Sequence, residues 1–393
     1  MTPEQSAVAM SPILLAAMVA EHATLRWLGR PGYSHRRTVN NLGVMLASRA
    51  VLSAFGLVPL LGYGWMREHL GLLTWPESGP LTWAAAFVAV DFTMYWRHRA
   101  AHRVAVLWAV HAVHHQSRDY NLAVALRLSF FQDAFLIGVP LAILGLPLGP
   151  VMACWLLGNV YQFFQHTEVI PKLGWVDRWI MTPSNHRVHH GCNPRYLDKN
   201  YGNILLIWDY LFGTYVREDE PVEFGVLTGL KTYDASENGL EPFRSLLAKS
   251  RAQSTAWDAM KVLVSAPGWV PGRGEEVPAL VADPEPQRNN PVSARHRAVA
   301  TGLMVAAFVS TSGLTWFADR WSVVARFAAL GCSVLLLAVA GVVLDNQPVE
   351  PLPADTALGA VRARLAAWVL TLAGPDAEGP LKRLGRALRG SDR

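Results

Sequence analysis

HRAAHRVAVLWAVHAVHH, residues 98–115, holds five histidines: His98, His102, His111, His114 and His115. A second window, NHRVHHG, adds His186, His189 and His190, and His166 stands alone between the two. Nine of the thirteen histidines thus fall in three short windows. At this chain's histidine frequency an HxxHH triplet should arise by chance roughly 0.014 times. It occurs twice. On a helix, residues i, i+3 and i+4 share a face. His98 therefore points with His102, His186 with His189 and His190, and His111 in part with His114 and His115. The first window continues directly from an apolar run, so it reads as the end of a membrane helix.

Composition extends that reading. Apolar residues make up 51 % of the 393 residues and charged residues 17 %, against about 25 % charged in soluble domains. The fifteen tryptophans suit rings placed at a membrane interface. Apolar runs recur near the length of about 20 residues that a span needs. They cover 7–20 (short), 42–65 (tolerating Arg49), 80–96 (carrying Asp91), 134–164, 299–318 and 323–344. Pro140, Pro147 and Pro150 predict a helical hairpin within 134–164. The fold expected is all-α, a polytopic integral membrane protein. The segment divisions are 1–79 for N-terminal transmembrane helices, 80–217 for the catalytic region and 218–298 for cytoplasmic-side loop and linker rich in Pro and Gly. A transmembrane hairpin follows at 299–344. The tail, 345–393, is basic and amphipathic and is expected on the membrane surface.

Charge supports an orientation. Arg26, Arg30, Arg36 and Arg37 precede one span, and Arg97, Arg99, Arg103 and Arg118 follow another, whereas the intervening connections are poor in positive charge. The positive-inside rule then puts every basic loop, and every histidine window, on the cytoplasmic side. The net charge of +5 is spread over loops and tail. That fits an anionic membrane face and implies no nucleic-acid partner. A cleaved signal peptide is not expected, because the N-terminus lacks a basic region before its apolar run. Cys154, Cys192 and Cys332 are too scattered for a disulfide framework or a thiolate zinc site.

Neutral imidazole is the commonest protein metal ligand. Nine imidazoles exceed what one zinc uses, so two metals sharing about nine ligands is the natural count. Nitrogen-rich, thiolate-free ligation suits iron that handles dioxygen, although zinc accepts the same rings and can enter recombinant material. His166 reads as a ligand, or else as a residue supporting one. His22, His35, His69 and His296 read as ordinary core or interface residues. Asp91 is costly at its depth and so suggests function: it is expected to accept from a ligating imidazole N–H, with Tyr95 on the same face. A bond to Tyr95 or Arg99 is the structural alternative. Asn185 and Asp198 flank the last window and could orient its imidazoles, cap a helix or hold a loop. No catalytic side chain beyond the metal ligands is expected. The chain has no HExxH, no Rossmann-type glycine fingerprint and no cysteine set for iron–sulfur, so electrons must come from an external reductant or electron-transfer protein.

The histidine pattern, HxxxH then HxxHH then HxxHH, resembles that of the fatty acid hydroxylase and sterol desaturase superfamily. The matching residues are His98 and His102; His111, His114 and His115; and His186, His189 and His190. The wording around them is similar too: DFTMYWRHRAAH, WAVHAVHHQSRDYN and TPSNHRVHHGCNPRYLDKNYGNILLIWDYLFGTY. FGVLTGLKTYD, PGWVPG at 267–272 and the two later spans resemble the alkylglycerol monooxygenase branch. The resemblance implies a membrane-bound, non-haem di-iron enzyme that uses dioxygen on a lipid C–H bond. In that branch it implies attack beside an ether oxygen, with a reduced pterin as donor. Arg103 departs from the acidic residue expected there. A desaturase on the same di-metal site is the rival enzyme, and a non-enzymatic zinc-binding membrane protein the rival of another class.

Overall fold

The computed structural model describes residues 3–55, 62–129, 138–230, 232–276, 292–317 and 320–345. Helices dominate it. The N-terminal part comprises α1 (Pro3–Trp27), α2 (His35–Phe55) and α3 (Tyr63–Leu70). The site-bearing part comprises α4 (Pro80–Arg103), α5 (Ala105–His115), α6 (Leu122–Ala125), α7 (Gly138–Ile143), α8 (Leu148–Gln165), α9 (Pro183–His190) and α10 (Ile207–Leu211). Then come α11 (Ala235–Arg251), α12 (Ala256–Val264), α13 (Ala294–Phe317) and α14 (Val323–Asp345). The one sheet among the described residues is a short antiparallel hairpin, β1 (Trp269–Val270) with β2 (Gly274–Glu275).

Local chemistry explains the elements that carry histidine. Pro80 sits in the first turn of α4, where its fixed φ suits a helix and its missing N–H is not needed. The helix then runs unbroken from the apolar segment through His98 and His102. Val104 is extended (φ −121°, ψ 119°). This break lets α5 fold back against α4. In α9, Thr182 caps the N-terminus and Pro183 opens the first turn, and all eight residues are buried. The Pro-broken run is two helices, α7 and α8, joined through Gly145 at φ +77°. A side chain there would meet the Leu73 carbonyl oxygen at 1.8 Å.

Two apolar cores flank the histidines. Val90 and Met94 of α4 pack with Leu141, Leu146, Val151 and Cys154. On the other side Val44 and Ala47 of α2 pack with Val113 of α5, Ala307 of α13 and Leu337 of α14. The back of α5 is thus anchored while its histidine face looks inward. Among the described residues, only α13 and α14 are both long and apolar enough to cross a membrane, with mean hydropathy 1.5 and 2.6. The run expected at 42–65 is α2, which starts earlier at His35; residues 56–61 lie outside the described residues, as do 130–137 and the tail after 345.

The stretch 218–298, expected as loop and linker, carries α11 and α12. Asp234 caps α11 by accepting from the Ser236 and Glu237 amides, and Thr255 caps α12 by accepting from Asp258. Both are capping signatures legible in the sequence, beside the Pro- and Gly-rich patches that follow.

Candidate metal centre

The nine histidines of the three windows converge in two buried groups. His98, His102, His111, His115 and His189 form one; His114, His166, His186 and His190 form the other. Within each group the candidate ligand nitrogens lie within 4.8 Å of one another. The division cuts across the motifs. α5 sends His111 and His115 to the first group and His114 to the second, and α9 sends His189 to the first and His186 and His190 to the second. The His115 and His190 rings stack at 4.3 Å and join the groups.

The hydrogen bonds fix which nitrogen faces inward. Nδ1 of His98 meets the Tyr201 carbonyl at 3.1 Å, His189 that of Lys199 at 3.0 Å, His114 that of Arg127 at 3.2 Å and His166 that of Gln162 at 2.7 Å. A carbonyl only accepts, so these Nδ1 atoms carry the hydrogen and Nε2 presents a lone pair. The Nε2 atoms then crowd together. His166 Nε2 lies 3.1 Å from Nε2 of His114, of His186 and of His190. In the other group His111 Nε2 lies 3.0 Å from His98 and 3.2 Å from His115. Nε2 of His102 and of His189 is buried with no hydrogen-bond partner among the described residues. Converging lone pairs repel unless a cation sits among them. The donor set therefore fits two metal ions, and its all-imidazole chemistry fits a borderline transition metal.

Burial disfavours protonated rings. It pushes all nine imidazoles down, His166 to about 3, and the neighbouring imidazoles add to the effect for most of them. Burial thus favours the neutral form that ligation requires.

The other expected residues take different places. Asp198 lies beside the site: its Oδ1 is 3.6 Å from His102 Nδ1, and its Oδ2 accepts from Arg103 Nη1 at 2.5 Å. Burial alone would raise its carboxyl, but His102 and Arg103 outweigh that and hold it at about 2. Arg103 also forms a bidentate pair with Glu275 of β2, at 3.0 and 2.7 Å. Asp91 does not reach an imidazole, nor Tyr95 or Arg99. It accepts from the Ile204 amide (2.8 Å), the Trp208 indole N–H (2.8 Å), the Asn203 amide group and the Leu205 amide. Seven residues along a helix is a rise of about 10 Å, which sets Asp91 too far above His98 and opposite the 203–208 segment. The Tyr95 hydroxyl meets Thr214 Oγ1 at 3.0 Å. Thr214 donates to Asp209, whose carboxylate accepts from the Tyr201 amide; Tyr95 thus braces the loop that orients His98. The Asn185 side chain donates to the Asp177 and Ile180 carbonyls and holds the start of α9.

Three further residues matter that the sequence did not single out. Asn200 and Asp198 both have positive φ, at 53° and 58°, a conformation Asn and Asp tolerate best among residues with a Cβ. This turn aims the Lys199 carbonyl at His189. Arg127 is fully buried and donates to Val113 O, the Asn40 and Asn41 side-chain oxygens and Gln116 Oε1. Its carbonyl holds His114. Trp108 packs on the His102 and His115 rings at 5.0 and 5.6 Å.

A cavity of about 410 Å³ reaches both groups. His102, His115, His189 and His190 line it on one side, Ala105, Ala109 and Ala112 form an apolar wall, and Ser245, Lys249 and Pro267 stand across from them.

Comparisons with known proteins give the family. The fatty acid hydroxylase family model matches residues 83–214. Alkylglycerol monooxygenase from Homo sapiens is 32 % identical over 350 residues, covering 86 % of this chain and 77 % of the relative. The Xenopus tropicalis alkylglycerol monooxygenase is 35 % identical over 291 residues, 72 % of this chain and 64 % of that one. An ornithine lipid hydroxylase from Rhizobium tropici is 34 % identical over 155 residues, 37 % of this chain and 46 % of its own length. No solved structure matches.

Proposed function

This chain belongs to the alkylglycerol monooxygenase family, a branch of the fatty acid hydroxylases, and is an oxidoreductase that hydroxylates lipid; we propose that it works with dioxygen at two iron ions, one in each histidine group. His98, His102, His111, His115 and His189 would hold one ion, and His114, His166, His186 and His190 the other. The observation that carries this is the convergence of Nε2 lone pairs whose tautomers backbone carbonyls fix. When bound, the two ions supply the dioxygen chemistry that an unactivated C–H bond demands and that side chains lack.

The chain's own residues position and shield. The Tyr201, Lys199, Arg127 and Gln162 carbonyls hold four rings in the ligating tautomer, and the Asp198 carboxylate sits beside His102 Nδ1 at 3.6 Å. Both groups lie in the interior of the fold. The cavity brings a lipid past Trp108 to the face formed by His102, His115, His189 and His190.

The substrate we propose is a glycerol ether lipid, attacked at the carbon beside the ether oxygen. One oxygen atom enters that C–H bond and the other leaves as water, with two electrons from an external reductant, a reduced pterin in this family. The hemiacetal then collapses to a fatty aldehyde and glycerol. We place the enzyme as a multi-pass membrane protein with its histidine site toward the cytoplasm, following the basic loops. Relatives named for hydroxylation favour this outcome over desaturation.

The test is to give membranes containing the protein hexadecyl glycerol ether, oxygen and reduced pterin. Oxygen-dependent fatty aldehyde, absent in His111→Ala and His189→Ala, is expected. An unsaturated ether would identify a desaturase, and an untouched lipid under every reductant would remove the enzyme reading.

A further inference from the structure

We propose that α12 is an interfacial helix whose outer face lies in the lipid surface and brings the mouth of the cavity to the bilayer. This rests on the reading of the chain as a membrane lipid enzyme. α12 reads AWDAMKVLV. Its inner side is packed: Val262 is buried, and the Ala259 carbonyl accepts from Ser250 of α11 at 2.9 Å. Its outer side carries Trp257, Met260 and Val264, at i, i+3 and i+7, and they are 60 %, 44 % and 55 % exposed. A water-facing helix presents polar residues there. This one exposes Trp257, Met260 and Val264 there, with Lys261 drawn over the Trp257 ring.

Three observations select lipid as what covers it. First, α11, which α12 packs against, starts at the end of a candidate span. The Tyr233 amide donates to Asp345 at the end of α14 at 2.7 Å, and Gly341 leaves room for the α11 start, since a Cβ there would lie 2.3 Å from Asp234 Cα. Second, the Lys261 ammonium lies over the Trp257 and Trp269 rings at 5.3 and 5.6 Å, the pairing of amphipathic rings and a long cation that marks a water–lipid boundary. Third, three side chains fall far short of the roughly 20 to 30 residues per side of a stable protein interface.

The segment that follows this helix lines the cavity. Ser265, immediately after it, accepts from the Ala105 amide at the start of α5 at 2.8 Å. Pro267 and Gly268 then line the cavity, and Lys249 Nζ donates to the Pro267 carbonyl at 3.1 Å. A helix seated in lipid thus carries the cavity wall with it, and a lipid enters laterally without crossing water.

The experiment uses the full chain in phosphatidylcholine vesicles, with Cys332→Ser removing the exposed thiol. Nitroxide labels at Met260→Cys and, as a control, at Arg273→Cys on the β-hairpin are compared for collision with oxygen and with a water-soluble nickel chelate. The proposal expects the oxygen-to-nickel ratio to be several-fold higher at 260 than at 273. Equal ratios would overturn it, and so would a 260 label reached by neither reagent, which would point to a protein partner. A second arm compares turnover by M260E/V264E. Hexadecyl glycerol ether in vesicles should slow about tenfold, with dispersed octyl glycerol ether unchanged; equal slowing of both would overturn the entry route. The labels report even where the chain turns over neither lipid, so failure of the enzyme reading is recognised separately.

Discussion

His114 and His166 face each other through Nε2 at 3.1 Å while the Nδ1 of each meets a backbone carbonyl. Two neutral rings so held cannot share a proton between their Nε2 atoms, because each already carries its hydrogen on the other nitrogen. A cation between them resolves the contact. His186 and His190 also meet His166 through Nε2 at 3.1 Å, so removing His166 should empty one group and leave the other filled. His166→Ala is expected to lower metal content from about two ions per chain to about one and to abolish lipid turnover, measured by elemental analysis beside product formation.

Asp198 should matter through His102. Outer partners of metal-binding histidines typically change affinity or activity about 10- to 100-fold when removed. Asp198→Asn is expected to weaken metal retention by that order against a graded chelator. Arg103→Gln and Glu275→Gln act one and two links away and should weaken it less. A wild-type chelation curve for Asp198→Asn would contradict this assignment.

Asp91 is expected to behave as a structural residue. Its carboxylate gathers four donors from Asn203 to Trp208. Asp91→Leu would leave those groups buried and unpaired, costing about 3 kcal/mol or more. Thermal unfolding in detergent should move down clearly while the folded fraction keeps about two metals per chain. Loss of metal at unchanged stability would restore the role that the sequence suggested.

The metal-free protein should lose stability in acid. Burial lowers the folded pKa of these histidines, His166 to about 3, against about 6.5 when unfolded. Below 6.5 the unfolded chain therefore takes up protons that the folded chain refuses, and stability falls as pH falls. Denaturation midpoints of chelator-treated protein should drop between pH 7 and 5, and added metal should raise them at pH 7.

These contrasts show where the sequence was legible. Histidine identity and spacing are local, so all nine residues could be picked out, and so could the apolar runs and the break within 134–164. Their sharing out was not. A heptad-like reading groups His111, His114 and His115 together, but α5 lies between two clusters and feeds both, a fact of tertiary packing. Asp91 misled because helix periodicity gives direction and not depth, and the 203–208 segment that meets it is distant in sequence. Arg127 was invisible for the same reason: its partners, Asn40 and Asn41 of α2 and Gln116 after α5, come from two segments distant in sequence. The helices at 235–264 are legible from Asp234–Glu237 and Thr255–Asp258, beside glycine- and proline-rich patches that read as loop.

The central claim is a centre for two metals with nine imidazoles divided five and four. It is tested most directly by iron content per chain of protein reconstituted anaerobically with ferrous ion and freed of loosely bound metal. The account predicts about two irons per wild-type chain, and about one when either His111 and His115 or His186 and His190 are replaced together by alanine. One iron or fewer in the wild type, or two that survive both replacements, would contradict it.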